Sequence, residues 1–397
     1  MINLASRDIA HGLGRYLLTA VGLGLLIGVT LSMAGIYRGM VDDARALLES
    51  WQADIWVVQQ HTLGPFAESS TLHDDAYRAL LGLPGVAEAG NVTFLTMQVK
   101  RGESDVRVMI SGFESGRPGE PRLITAGRPV TRAHYEAIAD EKTGFSVGER
   151  IRIRRNEYTV VGLTRRMVSS AGDPMVFIPL KDAQQAQFLK DNDAIWNDRN
   201  RLAANPALNR PGIPGLIEAV EENQFSNRNV NAVLVRVKPG WDRRLVADAI
   251  KRWKRLQAYT GEEMEEILVG KMIATAARQI FVFLVILALV SAAIVALIIY
   301  TMTLAKLKEI AVLKLIGTRN TTIAGMVLQE ALGLGLAGFI IGKLLATLWG
   351  PHFPRYVVLL TEDAVRGFVA TMTICAIASI LGIRAALRID PGEAIGG

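Results

Sequence analysis

The chain has 397 residues, half of them hydrophobic, and a formal net charge of +6 at pH 7. Its one cysteine, Cys375, excludes an intrachain disulfide. A basic chain can bind nucleic acid, but no groove-reading motif accompanies the charge, so we expect no nucleic-acid partner. The apolar residues form one block near the start and three near the end. That distribution is typical of a membrane protein that carries a large soluble domain.

The first elements are an amphipathic segment and a spanning helix. Residues 1–15 mix apolar and polar side chains, and we expect a cytoplasmic amphipathic helix there. Residues 16–37 are predicted to form transmembrane helix 1, since about 20 mostly apolar residues cross the hydrocarbon core. The block is longer than the roughly 7–15 apolar residues of a signal peptide, and no small-residue cleavage site follows it. We therefore predict a retained anchor.

The polar middle, residues 38–279, is predicted to be an α+β domain outside the cytoplasm. Its ends, residues 41–48 and 262–277, can extend the neighbouring spans as a helical stalk, with plain surface helices as the alternative. Residues 192–215 are rich in Asn, Pro and Arg and predict a long loop. Alternating and β-branched stretches predict strands over residues 54–58, 106–110, 150–154, 158–162, 175–179 and 232–237. Helices are expected over residues 73–81, 181–190 and 241–258.

Three more spans are predicted in the last third of the chain. They cover residues 280–304, 323–349 and 365–383, separated by a link at 305–322 and a loop at 350–364 and followed by a tail at 384–397. Lysine and arginine concentrate before helix 1, in the link and in the tail, which places these three on the cytoplasmic side and the loop outside. The sequence thus predicts an α-helical transmembrane protein of four spans, with an inserted α+β extracytoplasmic domain between spans one and two.

Glycines recur in the spans at a spacing that favours close helix contact. Gly24 and Gly28 form one G-x-x-x-G, and Gly338 and Gly342 form another. Small residues at this spacing let helix backbones approach each other in lipid. Because glycine is common in membrane helices, its ordinary frequency is the alternative explanation.

Two ionisable residues lie within the third span. Glu330 and Lys343 are functional candidates, because charge inside a membrane is costly. We expect Glu330 to pair with a basic residue of the link and Lys343 to extend outward toward the headgroups. Structural or coupling roles are favoured over proton transport.

The link between the second and third spans carries the sharpest local pattern. Its apolar side chains alternate with charges and end at a glycine, which predicts a short amphipathic helix at the membrane surface. The candidate residues are Lys308, Glu309, Ile310, Leu313, Lys314, Ile316 and Gly317. Such a helix docks either in a protein groove or passively on lipid headgroups.

Several segments together resemble one family. They are residues 307–318, 328–331 and 385–395 in the membrane part, and 54–58, 144–149, 158–162 and 176–180 in the outer part. In order and spacing the chain resembles the FtsX/MacB-like ABC transporter permeases, close in layout to the DevC-like and haem-exporter-like members. These are four-span permeases without a fused ATPase, and the resemblance covers nearly the whole length.

The resemblance implies a role and partners. The helix in the link would be the coupling helix that docks on an ABC ATPase, present in two copies, which binds the ATP and magnesium. The chain itself would form a homodimer in the bacterial inner membrane with its large domain in the periplasm. The resemblance implies tripartite efflux of an amphipathic substrate with a membrane-fusion adaptor protein. Its alternatives are a non-transporting scaffold for signalling or mechanotransmission, as in cell-wall hydrolase activation, and a lipoprotein-extraction permease.

Catalytic motifs are missing from the sequence. The string nearest to a Walker A motif, residues 338–344, has the wrong glycine spacing and lies in a span. No G-x-S-x-G motif occurs, and the five histidines show no metal-ligand spacing. We therefore expect no enzyme activity, metal or cofactor in this chain, and ATP hydrolysis in a partner chain.

Overall fold

The computed structural model describes residues 13–187, 192–206, 228–253, 255–353 and 355–388. The chain divides into two compact units: a membrane unit of residues 1–40 and 275–397, and an outer unit of residues 41–274. The predicted N-terminal helix lies outside the described residues up to residue 12, as does the tail from residue 389. The first helix, α1, covers Leu13–Ser50. At 1.5 Å per residue it is longer than the hydrocarbon core is thick, so it continues beyond the predicted span as a stalk.

The outer unit is built on one large mixed sheet. The strands described in this unit are β1 Ile55–Gln59, β2 Leu72–His73, β3 Val86–Arg101, β4 Ser104–Phe113, β5 Ile124–Gly127, β6 Glu136–Asp140, β7 Arg150–Ile153, β8 Asn156–Thr164, β9 Met175–Pro179, β10 Asn229–Val230, β11 Ala232–Val237 and β12 Leu256–Thr260. The order is β12-β1-β11-β3-β4-β9-β6-β8-β5, with β7 beside β8, while β2 and β10 form a separate pair. Among the described residues of this unit, helices also form at α2 Ala76–Leu81, α3 Leu180–Gln187, α4 Asn192–Ala203 and α5 Arg243–Lys251.

Strand β3 joins two hydrophobic cores. Its first half pairs with β11 and its second half with β4. One core gathers apolar side chains of β1, β11 and α5, and the other those of β7, β8 and β9. The α+β outer domain predicted from the sequence is confirmed.

Three sequence expectations for this unit were incomplete or wrong. Residues 192–203 form helix α4 rather than loop, and Arg201 in the last turn complements the negative end of the helix dipole. The remainder of that predicted loop, from residue 207, lies outside the described residues. The helix predicted over residues 241–258 ends at Lys251, because the segment from Leu256 pairs with β1 as strand β12. The strands β2, β3, β5, β6 and β10 were missed.

Both stalk helices join neighbouring strands. Helix α6 covers Gly261–Ala305 and starts directly after β12 with a capping box between Thr260 and Glu263. Strand β12 pairs with β1, which follows α1 in sequence, through Ile55 and Thr260. Arg45 of α1 and Glu265 of α6 form an ion pair of 2.7 Å. Residues 266–273 of α6 adopt π-helical geometry.

The membrane unit is a helical bundle. After α6 come the short helix α7 Leu307–Leu315, then α8 Asn320–Trp349 and α9 Thr361–Leu387. Within the described part of the chain, α1, α6, α8 and α9 are the helices long and apolar enough to cross a membrane. The predicted four-span fold class is confirmed.

Candidate coupling helix

Helix α7 is a defined element with a firm end. Gly317 adopts a left-handed backbone with φ of 89°, and its N–H donates to the carbonyl of Lys314 at 3.0 Å. The N–H of Thr318 donates to the carbonyl of Leu313 at 3.0 Å. This pair of hydrogen bonds is a Schellman motif, in which glycine is strongly favoured. Gly317 therefore terminates the helix and sets the direction of the chain toward α8.

One side of α7 is fixed to the bundle. Ile310 and Ala311 are fully buried, and Ile310 belongs to the core that α6, α8 and α9 share. The ammonium of Lys314 donates a 2.8 Å hydrogen bond to the carbonyl of Leu387, in the last turn of α9. A cation at a helix C-terminus satisfies a carbonyl that has no intrahelical partner and complements the helix dipole.

The other side of α7 faces outward. Lys308, Glu309 and Val312 are exposed, and Leu315 and Ile316 are 63% and 76% exposed. Residues three and four apart share a helix face, so these five form one surface, here called the coupling face. Sequence reasoning missed Val312, although its spacing from Lys308 and Ile316 was the available signal.

The predicted residues therefore divide between two faces. Ile310 is buried against the bundle and Leu313 and Lys314 are half-buried, whereas Lys308, Glu309 and Ile316 are exposed. A helix with one face packed against the bundle and the opposite face exposed can contact another surface without moving relative to the bundle.

A buried ion pair lies behind the start of α7. Glu330 of α8 is only 7% exposed, and its Oε1 lies 2.8 Å from Nζ of Lys306, the first basic residue of the link. The sequence indicated a basic partner in the link but did not identify Lys306. Removing one member of such a pair leaves an uncompensated charge, which is strongly destabilising.

Lys343 is not part of this pair. It lies on the same helix as Glu330 but thirteen residues further on, about 20 Å along the axis. Its side chain is exposed beside the exposed apolar Ile340 and Leu344. The structure therefore separates the two intramembrane charges that the sequence considered together.

The two glycine pairs meet at one helix crossing. A Cβ added at Gly24 would lie 2.7 Å from the Ile341 side chain, and one at Gly28 would lie 3.1 Å from the carbonyl oxygen of Gly342. A Cβ at Gly342 would lie 2.7 Å from the carbonyl oxygen of Gly24. One at Gly338 would lie 2.9 Å from the Leu23 side chain. Helices α1 and α8 thus approach backbone to backbone.

One group in the outer unit brings potential metal ligands together. Among the described residues, His73, Asp74 and Asp75 place ligand atoms within 4.8 Å of one another. The group lies at the surface, and Nζ of Lys181 lies 3.0 Å from the Asp74 carboxylate. Because that lysine already provides a positive charge to Asp74, the group carries no assignment as a metal site.

Comparisons with known proteins agree along the whole chain. Residues 16–253 match the MacB-like periplasmic core domain, and residues 281–391 match the FtsX-like permease C-terminal domain. An uncharacterized ABC transporter permease of Mycobacterium tuberculosis is 26% identical over 398 residues, with 100% of both chains covered. One of Mycobacterium bovis is 24% identical over 398 residues with the same coverage.

A solved structure is also similar. The crystal structure of the periplasmic region of MacB from Actinobacillus actinomycetemcomitans is 10% identical, covers 54% of this chain and 91% of that chain, and has a TM-score of 0.34. The family matches together take in the spans, the outer domain and the link with its short helix. The chain belongs to the FtsX/MacB-type ABC transporter permeases.

Proposed function

We propose that this permease couples ATP hydrolysis in a separate ABC ATPase to work done outside the cytoplasm, through the coupling face of α7. An ABC transporter permease implies an ATPase partner. The observation that carries the proposal is the exposure of Leu315 and Ile316 beside Lys308 and Glu309, on a helix whose other side is buried.

The composition of the coupling face favours a protein groove. Burying Leu315 and Ile316 in a groove removes apolar surface from water, which is favourable. The oppositely charged Lys308 and Glu309 would fix the orientation of the contact, since complementary charges give specificity more than affinity. The basic residues around the link support a cytoplasmic location, where the ATPase would bind nucleotide and magnesium.

The two stalk helices are the proposed route of the movement. Closure of the ATPases would displace α7, and α1 and α6 would carry the displacement outward. The ends of the two helices adjoin the paired strands β1 and β12. The ion pair between Arg45 and Glu265 links the two helices. In this proposal two copies of the chain give eight spans in the inner membrane, with the outer domains in the periplasm. The work done would be tripartite efflux of an amphipathic substrate with a membrane-fusion adaptor.

The test is recovery of the ATPase with a charge placed on the coupling face. Leu315→Glu is compared with Leu123→Glu, a position in the outer domain with the same 63% exposure. Affinity purification from the native host should recover a protein with Walker motifs together with the wild type and Leu123→Glu, and much less with Leu315→Glu. If no such ATPase accompanies the wild type, or if Leu315→Glu retains it fully, the proposal is wrong.

Uncoupling and substrate dependence are tested on the purified complex. Glu309→Lys and Gly317→Pro should leave membrane insertion intact while separating ATP hydrolysis from function. Stimulation of ATP hydrolysis by amphipathic compounds in proteoliposomes supports efflux. Stimulation only by a protein partner supports the signalling scaffold instead.

A further inference from the structure

One surface of the outer domain concentrates arginine on adjacent strands. In β7, Ile151 and Ile153 are buried in the core, while the alternate residues Arg150 and Arg152 are exposed. Arg154 follows in the turn to β8 and is also exposed. With two arginines that precede β6, these form a set here called the arginine face: Arg128, Arg132, Arg150, Arg152 and Arg154.

Strand register places the two groups of arginines side by side. Glu136, the first residue of β6, pairs with Thr159 of β8, and Thr159 pairs with Arg150 of β7. Since neighbouring strands lie about 5 Å apart, the backbones of Glu136 and Arg150 are about 10 Å apart. The Glu136 carboxylate lies 2.5 Å from Arg128 and 3.7 Å from Arg132.

The charge of this surface is not balanced locally. Glu136 forms ion pairs with two arginines, and Glu157 lies opposite Arg152 in the register of β7 and β8. Arg150, Arg152 and Arg154 form no ion pair within the described ranges of the chain. Five guanidinium groups therefore accompany two carboxylates, which leaves an excess of positive charge.

One residue on this surface holds a backbone conformation that its side chain disfavours. Arg154 has φ of 57° in a two-residue hairpin turn, where glycine or asparagine is preferred.

We propose that the arginine face binds an acidic strand or loop of a second extracytoplasmic protein. The planar guanidinium pairs bidentately with carboxylates, and the exposed positions along β7 are about 7 Å apart, the repeat of alternate residues in an extended partner. Arginine is enriched at protein interfaces and lysine is depleted, and the face contains arginine without lysine. This proposal rests on the proposed function in one respect only: the domain must lie outside the cytoplasm.

An anionic membrane surface is the competing occupant. Because guanidinium groups pair bidentately with headgroup phosphates as well as with carboxylates, arginine by itself does not distinguish the two occupants. The fixed spacing of the arginines on a rigid strand favours carboxylates held at a matching repeat, because headgroups in a fluid membrane keep no fixed spacing.

The experiment measures binding of a defined acidic peptide to the full-length protein in a neutral detergent. The probe is a fluorescein-labelled peptide of alternating Glu and Thr, with Gln in place of Glu as the control peptide, at about 0.15 M ionic strength. The test variant carries Arg150→Gln, Arg152→Gln and Arg154→Gln. The charge-matched variant carries Lys238→Gln, Arg252→Gln and Arg255→Gln, three exposed positions on the other half of the domain.

The expected result is binding of the Glu peptide by the wild type, weakened about tenfold or more in the test variant. That estimate follows from a few-fold contribution of each exposed charge pair. The charge-matched variant should change less than about threefold, since overall charge acts only through long-range attraction. The replaced side chains are exposed, and an unchanged thermal unfolding midpoint verifies folding.

Four results would overturn the proposal. The wild type could fail to bind the Glu peptide, or bind the Gln peptide equally well. Both variants could weaken binding to the same extent. The three β7-side arginines could be needed for co-flotation with phosphatidylglycerol vesicles but not for peptide binding, which would identify a lipid surface instead.

Discussion

Gly317 ends α7 in a conformation that other residues adopt only at a cost. A Cβ there would meet nothing within 4 Å, so any loss on substitution comes from the backbone alone. We expect Gly317→Ala to lower the free energy of unfolding by about 1–2 kcal/mol and Gly317→Asn by less, because asparagine tolerates the left-handed region. Thermal unfolding of the purified chain measures both. Equal stability of Gly317→Ala and wild type would contradict the assigned Schellman motif.

Glu136 makes the outer domain sensitive to acid. Its hydrogen bond with Arg128 and those from the backbone N–H groups of Thr131 and Arg132 lower its pKa from 4.5 to about 2, against the effect of burial. A carboxyl pKa lowered by folding contributes stability above the unfolded value, and this is lost as pH falls toward the folded value. We expect Glu136→Gln to flatten the decline in stability between about pH 4.5 and pH 2, as measured by urea unfolding.

Asp140 provides a control, because its pKa is shifted in the opposite direction to that of Glu136. Burial raises its pKa, against hydrogen bonds from the backbone N–H groups of Lys142 and Met167. A raised carboxyl pKa means that the folded state binds the proton more readily, so acidification favours folding at this residue. Asp140→Asn should therefore steepen the acid-induced loss of stability. If the stability of Glu136→Gln fell with pH in parallel with that of the wild type, Glu136 would not be a source of the acid sensitivity.

At the scale of elements, the crossing of α1 and α8 depends on glycines, which have no side chain to separate the two backbones. Gly342→Ala should lower stability by about 1–3 kcal/mol, because the added methyl group meets the carbonyl oxygen of Gly24. Gly22→Ala and Gly325→Ala lie in the same two helices with nothing within 4 Å, and should be neutral or stabilising by up to about 1 kcal/mol. Thermal unfolding in detergent compares the three, and a loss common to all would argue against backbone contact.

The Lys306–Glu330 pair joins α8 to the start of the link, and a double-mutant cycle measures its coupling. We expect Lys306→Met and Glu330→Gln each to destabilise by about 3–5 kcal/mol, and the double variant to lose less than the sum. Thermal unfolding of the four proteins gives the coupling energy. Strict additivity would show that the two groups act through their other contacts.

The sequence predicted those elements whose pattern is local. Strands β9 and β11 follow from β-branched runs, and the spans follow from long apolar blocks. Strand β3 contains Gly90 and Asn91 among buried residues and lacks regular alternation, because its two halves serve two cores. Strand β12 exists because β1 supplies its partner, which is information that the local sequence does not hold.

The candidate site was predictable in position but not in orientation. The charged and apolar pattern identified the link, yet its apolar residues divide between a buried face at Ile310 and an exposed face at Ile316. Only the packing of α7 against the bundle decides between those faces. The same holds for Glu330, whose partner Lys306 became identifiable once α6 and α8 were placed together.

At the scale of the whole molecule, helix α6 shows apolar side chains on much of its circumference. Two stripes follow a spacing of three, four or seven residues: residues 282, 286, 289 and 293, and residues 283, 290, 294 and 297. A helix partner in a second copy would cover one stripe and lipid the other. In a Cys375→Ala background, we expect single cysteines along only one stripe to give disulfide-linked dimers.

The matched control is a cysteine at Leu344 of α8, which is equally exposed to the surroundings of the bundle. Oxidation in native membranes followed by non-reducing electrophoresis reads out the dimers. Random collision would crosslink both stripes and Leu344 alike, and that result would contradict a homodimer built on α6.

The pairing of Ile55 with Thr260 means that the polypeptide enters and leaves the large domain at adjacent strands, about 5 Å apart. Everything between these points is an insert whose two attachment points hardly depend on its size or content. Recombination at this junction can therefore exchange the domain for another one while leaving the membrane-spanning helices unchanged. Related permeases can in this way acquire different extracytoplasmic domains by exchange at a single junction.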